Sequence, residues 1–389
     1  MKDRMLSACR ASRRRVLKGT AGAAAVLAMP GLVRGAAAQE NVVRIMGVST
    51  AALDDWSDFE KETGLTVEFT SLSSDPGVFR QEVVANAAGE RFDILLMDGG
   101  IEDDLGVKGF FMPITGDGVP SWPSVPPEIL KSPLALAPDG TQYGLPVVMN
   151  ADGFGYVVDE IGEDEPLSWS LVFESDKTRG RVGLENTWLT TFPMAAMVVK
   201  AKGLMPIKDV SDMTPEEAKA VADYLIERKR AGQFRTLWST WEESIDLFTR
   251  KEVIVANCWE PAVKELQRKG MNIRYASTRE GYNKWVICAY VPSQVVDRGG
   301  QAVVARALEG FLGGAYAARI AVLRGYATAR SEAGMQYAKD HGFSAEDIEA
   351  ISGKIAQINE RFKVPDFWQN ATPTHVQAIE AEFDRFRSA

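Results

Sequence analysis

Few residues of this chain can do chemistry, and their spacing limits it further. Among 389 residues there are three cysteines (Cys9, Cys258 and Cys288) and two histidines, His341 and His375. A cysteine nucleophile needs a base to take its proton. No histidine neighbours Cys258 or Cys288; Glu260, two residues after Cys258, is an acid that could serve. Two isolated histidines lack the spacing of a metal site. There is no GxxxxGK[ST] phosphate loop, no GxSxG elbow and no dinucleotide GxGxxG. An enzymatic reading therefore rests on a cysteine with a carboxylate base.

The first residues set the compartment. Ser12-Arg13-Arg14-Arg15-Val16-Leu17-Lys18 precedes an uncharged, Ala-rich run from Gly19 to Val33, and Ala36-Ala37-Ala38 stands before Gln39. A charged segment, a short apolar run and a small-residue cleavage site have the layout of an export signal. The run is shorter than the roughly 20 apolar residues a membrane span needs. The paired arginines resemble the twin-arginine motif, with Val16 where that motif usually has Phe; an ordinary secretory signal is the alternative. Either route predicts a periplasmic protein cleaved near Ala38-Gln39. Leu6-Ser7-Ala8-Cys9 has the look of a lipoprotein box, but no apolar run precedes it, so no lipid anchor is expected.

Eight of the 44 Lys/Arg and one of the 53 acids fall in the first 38 residues, so the remainder carries a net charge near −16. Such a chain repels nucleic acid and anionic membranes. Its length of about 350 residues exceeds a single core and predicts two domains. Outside the cytoplasm Cys258 and Cys288 either pair as a disulfide or stay buried as small hydrophobes.

The elements that must position any site alternate. Val42–Met46, Leu65–Phe69 and Phe92–Met97 read as strands, with helices at Leu53–Phe59, which Gly64 stops, and at about Val78–Ala88. This β-α-β-α-β order predicts a parallel sheet covered by helices. Further strands are expected at about Arg181–Leu184, Val253–Asn257, Asn272–Ala276 and Trp285–Val291. Thr214-Pro215-Glu216-Glu217 predicts a capped helix start. Helices are also expected at about Trp241–Arg250, over an Ala-rich stretch from Gln301 to Leu323, and from His375 to Arg387.

Seven local patterns, in order, resemble the extracellular solute-binding proteins of ABC importers, in particular the spermidine/putrescine-type branch (family 1-like). They are Phe59-Glu60-Lys61-Glu62-Thr63-Gly64-Leu65-Thr66-Val67; Tyr143-Gly144-Leu145-Pro146 leading to Gly153-Phe154-Gly155-Tyr156; and Leu167-Ser168-Trp169 with Arg179-Gly180-Arg181-Val182-Gly183-Leu184. Then come Lys251-Glu252-Val253 rising to Trp259, Glu280-Gly281 with Trp285, Gly325-Tyr326-Ala327-Thr328, and Phe367-Trp368-Gln369-Asn370. The resemblance implies an α/β, two-lobed periplasmic-binding-protein fold (type II) hinged around a ligand cleft. Crossovers are expected near Pro146–Asp152 and Gly281–Trp285. Lobe one would hold 39–148 plus 286–332, and lobe two 149–285 plus 333–389.

In that family, aromatic rings enclose the ligand and carboxylates pair its amines. Trp259 and Trp285 fall on family tryptophan positions, and Gln369 on a polar ligand-contacting one. Trp56, Trp169 and Trp241 read as core or surface. Ile287 stands where polyamine binders carry a carboxylate, Asn186, Thr187 and Thr190 where they carry two acids, Met149 beside Asn150 where they carry a tryptophan, and Gly100 where they carry an aromatic. Asp98 could supply one acid; Ser49 is a further neutral hydrogen-bonding group. Most amine-pairing acids thus look absent, and an unpaired buried ammonium is costly. The expected ligand is a zwitterionic, aromatic or singly charged organic solute. The resemblance implies a monomer without cofactor or metal, working with an ABC permease and cytosolic ATPase subunits. Ferric-binding relatives carry adjacent tyrosines, and no Tyr-Tyr pair occurs here. The alternatives are a periplasmic enzyme using a cleft cysteine and a protein that presents ligand to a sensor.

Overall fold

The computed structural model describes residues 41–164, 166–363 and 368–389. The export-signal reading of 1–38 and Phe367 lie outside the described residues. The chain begins β1 (Val42–Val48), α1 (Ser57–Thr63), β2 (Thr66–Leu72), α2 (Pro76–Val84), β3 (Ile94–Asp98), and after a long connection β4 (Gly144–Asp152) and β5 (Gly155–Val157). Next come β6 (Val182–Glu185), α3 (Trp188–Ala201), α4 (Pro215–Arg230), β7 (Phe234–Trp238), α5 (Trp241–Thr249), β8 (Val255–Ala256), α6 (Glu260–Arg268) and β9 (Ile273–Tyr275). The last part holds β10 (Asn283–Tyr290), α7 (Gln301–Phe311), α8 (Gly314–Arg324), β11 (Ala327–Thr328), α9 (Ser331–Asp340), α10 (Ala345–Arg361) and α11 (Val376–Ser388). No helix among the described residues is long and apolar enough to cross a membrane.

Two sheets divide these strands. The first has the order β11-β4-β10-β3-β1-β2 and the second β7-β6-β8-β5-β9. β1 lies parallel to both β2 and β3, as the alternating order requires. β10 returns antiparallel between β3 and β4. In the second sheet β6 is parallel to β7 and β8, and β5 is antiparallel to β8 and β9. The chain crosses between sheets at residues 153–154 and again at 276–282, close to the expected crossovers. Each sheet has its own buried core, one around Ile45, Leu95 and Val286, the other around Phe154, Val182 and Phe192.

Local chemistry explains the helix ends. Gly64 closes α1 at φ 67, where only glycine sits without strain. α2 starts two residues before the expected position because the Asp75 carboxylate accepts from the Gly77 and Val78 amides at 2.7 and 3.0 Å. Thr214 and Glu217 form the expected capping box, and Thr240 with Glu243 forms another. The Ala-rich stretch is two helices. The Glu62 carboxylate caps the Gly314 and Ala315 amides, and a Cβ on Gly313 would lie 2.5 Å from it.

One boundary differs. Within 333–389, expected as part of lobe two, α9 and α10 instead pack against α8, through Ala318, Ala321, Ala338 and Ile351. Only α11 joins the second core, burying Ile379, Phe383 and Phe386 beside α3 and α4. The small side chains of α8 let α9 approach: a Cβ on Gly314 would sit 2.7 Å from the Tyr337 Cβ.

Candidate ligand cleft

Strand ends meet between the two sheets, the place where open α/β sheets hold ligands. A cleft of about 500 Å³ opens there. Asp98 ends β3, Asp152 ends β4 at the crossing and Glu185 ends β6, and all three carboxyl groups line it. Trp285, Ile287 and Tyr326 wall it from the first sheet and Trp259 from the second.

Each of the two indoles is tied to an acid. The Trp285 Nε1–H donates to Asp152 Oδ2 at 2.7 Å, and its ring meets Tyr326 edge-on at 4.9 Å. Asp152 Oδ1 also accepts from Tyr275 Oη at 3.1 Å and Asn150 Nδ2 at 3.0 Å. Glu185 Oε2 accepts from Thr190 Oγ1 at 2.6 Å, and the Trp259 side chain bonds the same carboxyl group. Trp259 in turn packs edge-on against Trp238 at 5.8 Å. Both rings are therefore fixed by hydrogen bonds as well as by packing.

Burial pushes the Asp98 carboxyl up to about 7, and the Asp152 charge adds to it. Burial likewise raises Asp152 to about 7, against the lowering effect of Trp285 and Tyr275. Glu185 rises to about 8, by burial and the charges of Asp152 and Asp98, with Thr190 and Trp259 opposing. Three carboxyl groups that cannot easily ionise together are arranged to receive positive charge.

Seven of the expected residues meet here: Asp98, Asn186, Thr187, Thr190, Trp259, Trp285 and Gln369. Thr187 caps α3, accepting from the Leu189 amide at 3.3 Å. Gln369 runs beside Lys284, its amide donating to the Lys284 carbonyl at 2.7 Å, and its Oε1 accepts from Asn283 at 3.0 Å. Two expected residues do not line the cleft. Ser49 points to solvent in a 3-10 turn, and its neighbour Thr50 lines the cleft instead. Asn150 is fully buried behind it, orienting Asp152.

The expectation that most amine-pairing acids are missing is corrected. Glu185 stands one residue before the Asn186–Thr190 stretch and Asp152 two after Asn150. An acid closing an apolar strand, as in Val182-Gly183-Leu184-Glu185, was the available signal. Tyr326, also in the wall, stood in the Gly325-Tyr326-Ala327-Thr328 pattern, whereas Trp188 carried no signal beyond its aromatic type.

Of the two alternatives for Cys258 and Cys288, a disulfide or two buried thiols, the structure has the second: both thiols are free and buried. They belong to different cores, Cys258 beside Gly155 and Cys288 beside Gly144, where each sulfur fills the space of a missing side chain. Burial pushes the Cys258 thiol up to about 12 and Cys288 well above its ordinary value. Neither is poised as a nucleophile. His341 is exposed and stacked on Tyr337, and no metal-ligating cluster occurs among the described residues.

A family model described as bacterial extracellular solute-binding protein matches residues 56–350. Solved structures share the fold. A putative spermidine/putrescine ABC transporter protein from Listeria monocytogenes is 15% identical with TM-score 0.69, over 89% of this chain and 99% of that one. The spermidine/putrescine ABC transporter substrate-binding protein of Streptococcus pneumoniae is 14% identical with TM-score 0.69, over 90% and 99%. A periplasmic binding protein of A. tumefaciens B6 in complex with glucopine is 16% identical with TM-score 0.62, over 89% and 99%.

Proposed function

Because the chain belongs to the bacterial extracellular solute-binding protein family, we propose that it is the solute-binding component of an ABC importer for a small organic solute bearing a protonated amine. The observation that carries this reading is the convergence of Asp98, Asp152 and Glu185 on one cleft between Trp259 and Trp285. An ammonium entering there gains charge-assisted hydrogen bonds and two aromatic faces, the latter worth about 0.5–2 kcal/mol each. Singly charged and zwitterionic amines fit this chemistry, and the third carboxylate brings doubly charged amines back into range.

The protein acts by binding alone. Ligand enters an open cleft, and the lobes, hinged at 153–154 and 276–282, close by as much as its differential affinity for the closed form. The closed protein docks on a permease, and separate ATPase subunits drive release. Export by the signal at residues 1–38 would place it in the periplasm. Titration calorimetry of the mature protein against putrescine, spermidine, a neutral amino acid and a dicarboxylate tests the reading. Binding of at least one protonated amine is expected; binding of the dicarboxylate with none of the amines would overturn it.

A further inference from the structure

A buried cation sits behind the cleft, outside its lining. Lys354 on α10 is 6% exposed. Its ammonium has three donors, and all are used: Glu260 Oε2 at 2.6 Å, Gln357 Oε1 at 2.7 Å and Asn150 Oδ1 at 3.1 Å. The last contact fixes an amide. An ammonium has no lone pair, so it must face the oxygen of Asn150, which leaves the Asn150 NH2 to point the other way. That NH2 donates to Asp152 Oδ1 at 3.0 Å and to Glu260 Oε2 at 3.2 Å.

We propose that Lys354 is a positioning residue for the cleft: by holding the Asn150 amide in one orientation it presents Asp152 to the ligand as an oriented, charged acceptor. The inference rests on the reading that Asp152 meets the ligand's cation. With the amide fixed, Asp152 accepts from three donors on three strands: Asn150 of β4, Tyr275 of β9 and Trp285 of β10. The Trp285 indole and the forward-facing Asn150 NH2 can only donate to it, so the network favours the ionised form. Were the amide free to turn, its oxygen would face Asp152 and favour the protonated acid. Glu260 completes the device. It neutralises Lys354, so the pair adds no net charge to the cleft while still steering the amide.

Glu260 and Lys264 of α6 and Arg361 of α10 itself act on Lys354. Asp152 is coupled to Glu260 and Arg361, to Asp98 of β3, to Glu185 of β6, to Tyr275 of β9, to Tyr326 beside β11 and to Cys258 between β8 and α6. Arg361, two turns further along the same helix face, donates to the carbonyls of Ala151 and Ala276 at 2.6 and 2.9 Å. Helix α10 thus fastens the crossing strands with one cation and steers the crossing acid with the other.

The test needs no ligand. The Trp285 indole N–H bonds Asp152, so its nitrogen-correlated proton resonance, assigned by its loss in Trp285→Phe, follows the ionisation of Asp152 with pH. In Asn150→Ala, which keeps the ion pair, the midpoint is expected to rise by about one pH unit, the scale set by a hydrogen bond to the charged form; in Lys354→Met/Glu260→Gln, which frees the amide, it is expected to rise by less, because the Glu260 charge that raises Asp152 leaves with the pair. A midpoint unmoved in a folded variant of either kind overturns the proposal, even if thermal stability falls, because a structural role alone would lower stability without moving it. Failure to bind amines would instead leave this titration intact and count against the proposed function.

Discussion

Replacing Asp98 by Asn should make the empty protein more stable, and the structure gives the size of the effect. The Asp98 carboxyl moves from 3.8 to about 7, chiefly through burial. A carboxyl group with a higher pKa folded than unfolded binds more protons in the folded state between those values, so stability falls as pH rises from about 4 to about 7 and stays reduced above that. At about 1.36 kcal/mol per pH unit the full penalty is ~4 kcal/mol. The side chain faces a solvent-open cleft, which discounts this to about 2 kcal/mol. Asn has similar size and carries no charge to desolvate. At roughly 1.5 °C per kcal/mol for a chain of about 350 residues, Asp98→Asn should melt about 3 °C higher than wild type at pH 8, with the gap less than half as large at pH 5 and closing near pH 4. Thermal unfolding of the ligand-free protein from pH 4 to 8.5, followed by circular dichroism, measures both curves. A variant less stable at pH 8, or a gap independent of pH, would refute the reasoning.

Other expectations follow from the same geometry. Trp259→Ala and Trp285→Ala should each weaken amine binding about tenfold or more by calorimetry, with Trp285→Ala also freeing Asp152 Oδ2; unchanged affinity in both would remove the aromatic walls from the site. A thiol reagent should find no reactive cysteine in the folded mature protein and two after unfolding without reductant; no thiol after unfolding would mean a disulfide. Arg361→Met strips hydrogen bonds from two carbonyls, Ala151 and Ala276, and should cost about 2–4 kcal/mol in denaturant unfolding; a loss under 1 kcal/mol would show that the crossing strands do not depend on that clamp.

The parts legible in the sequence are those with short-range causes. The parallel β1, β2 and β3, the Gly64 stop and the Thr214 capping box follow from periodicity and caps within a few residues. The break between α7 and α8 was hidden because its cause, the Glu62 carboxylate, lies some 250 positions away. The site divides similarly. Trp259, Trp285 and Gln369 came from their place in family motifs, and all three line the cleft. Asp152 and Glu185 lie off the family's acid positions, where Ile287, Asn186, Thr187 and Thr190 show only losses. Whether a neighbouring strand end supplies one to the same space is settled only when β4 and β6 converge. Asn150 failed for the opposite reason: its polarity marked it for ligand, but Lys354, 204 residues away, claims its oxygen.

The placement of the acids has a consequence for the empty protein. Asp98 belongs to the first sheet and Glu185 to the second, yet the Asp98 charge is felt at Glu185. The facing surfaces are otherwise adhesive: Leu189 of α3 packs into the core of the first sheet, and Trp188 touches both cores. Apolar contact alone would let the lobes snap shut on nothing. Mutual repulsion of unneutralised carboxylates would resist that and a cation would lift the resistance, so on the proposed reading the acids would oppose idle closure as well as receive the ligand. A permease that reads only the closed form would then be spared futile engagements with vacant protein. Asp98→Asn, having lost one side of the repulsion, should show a smaller radius of gyration than wild type in ligand-free solution scattering at pH 8.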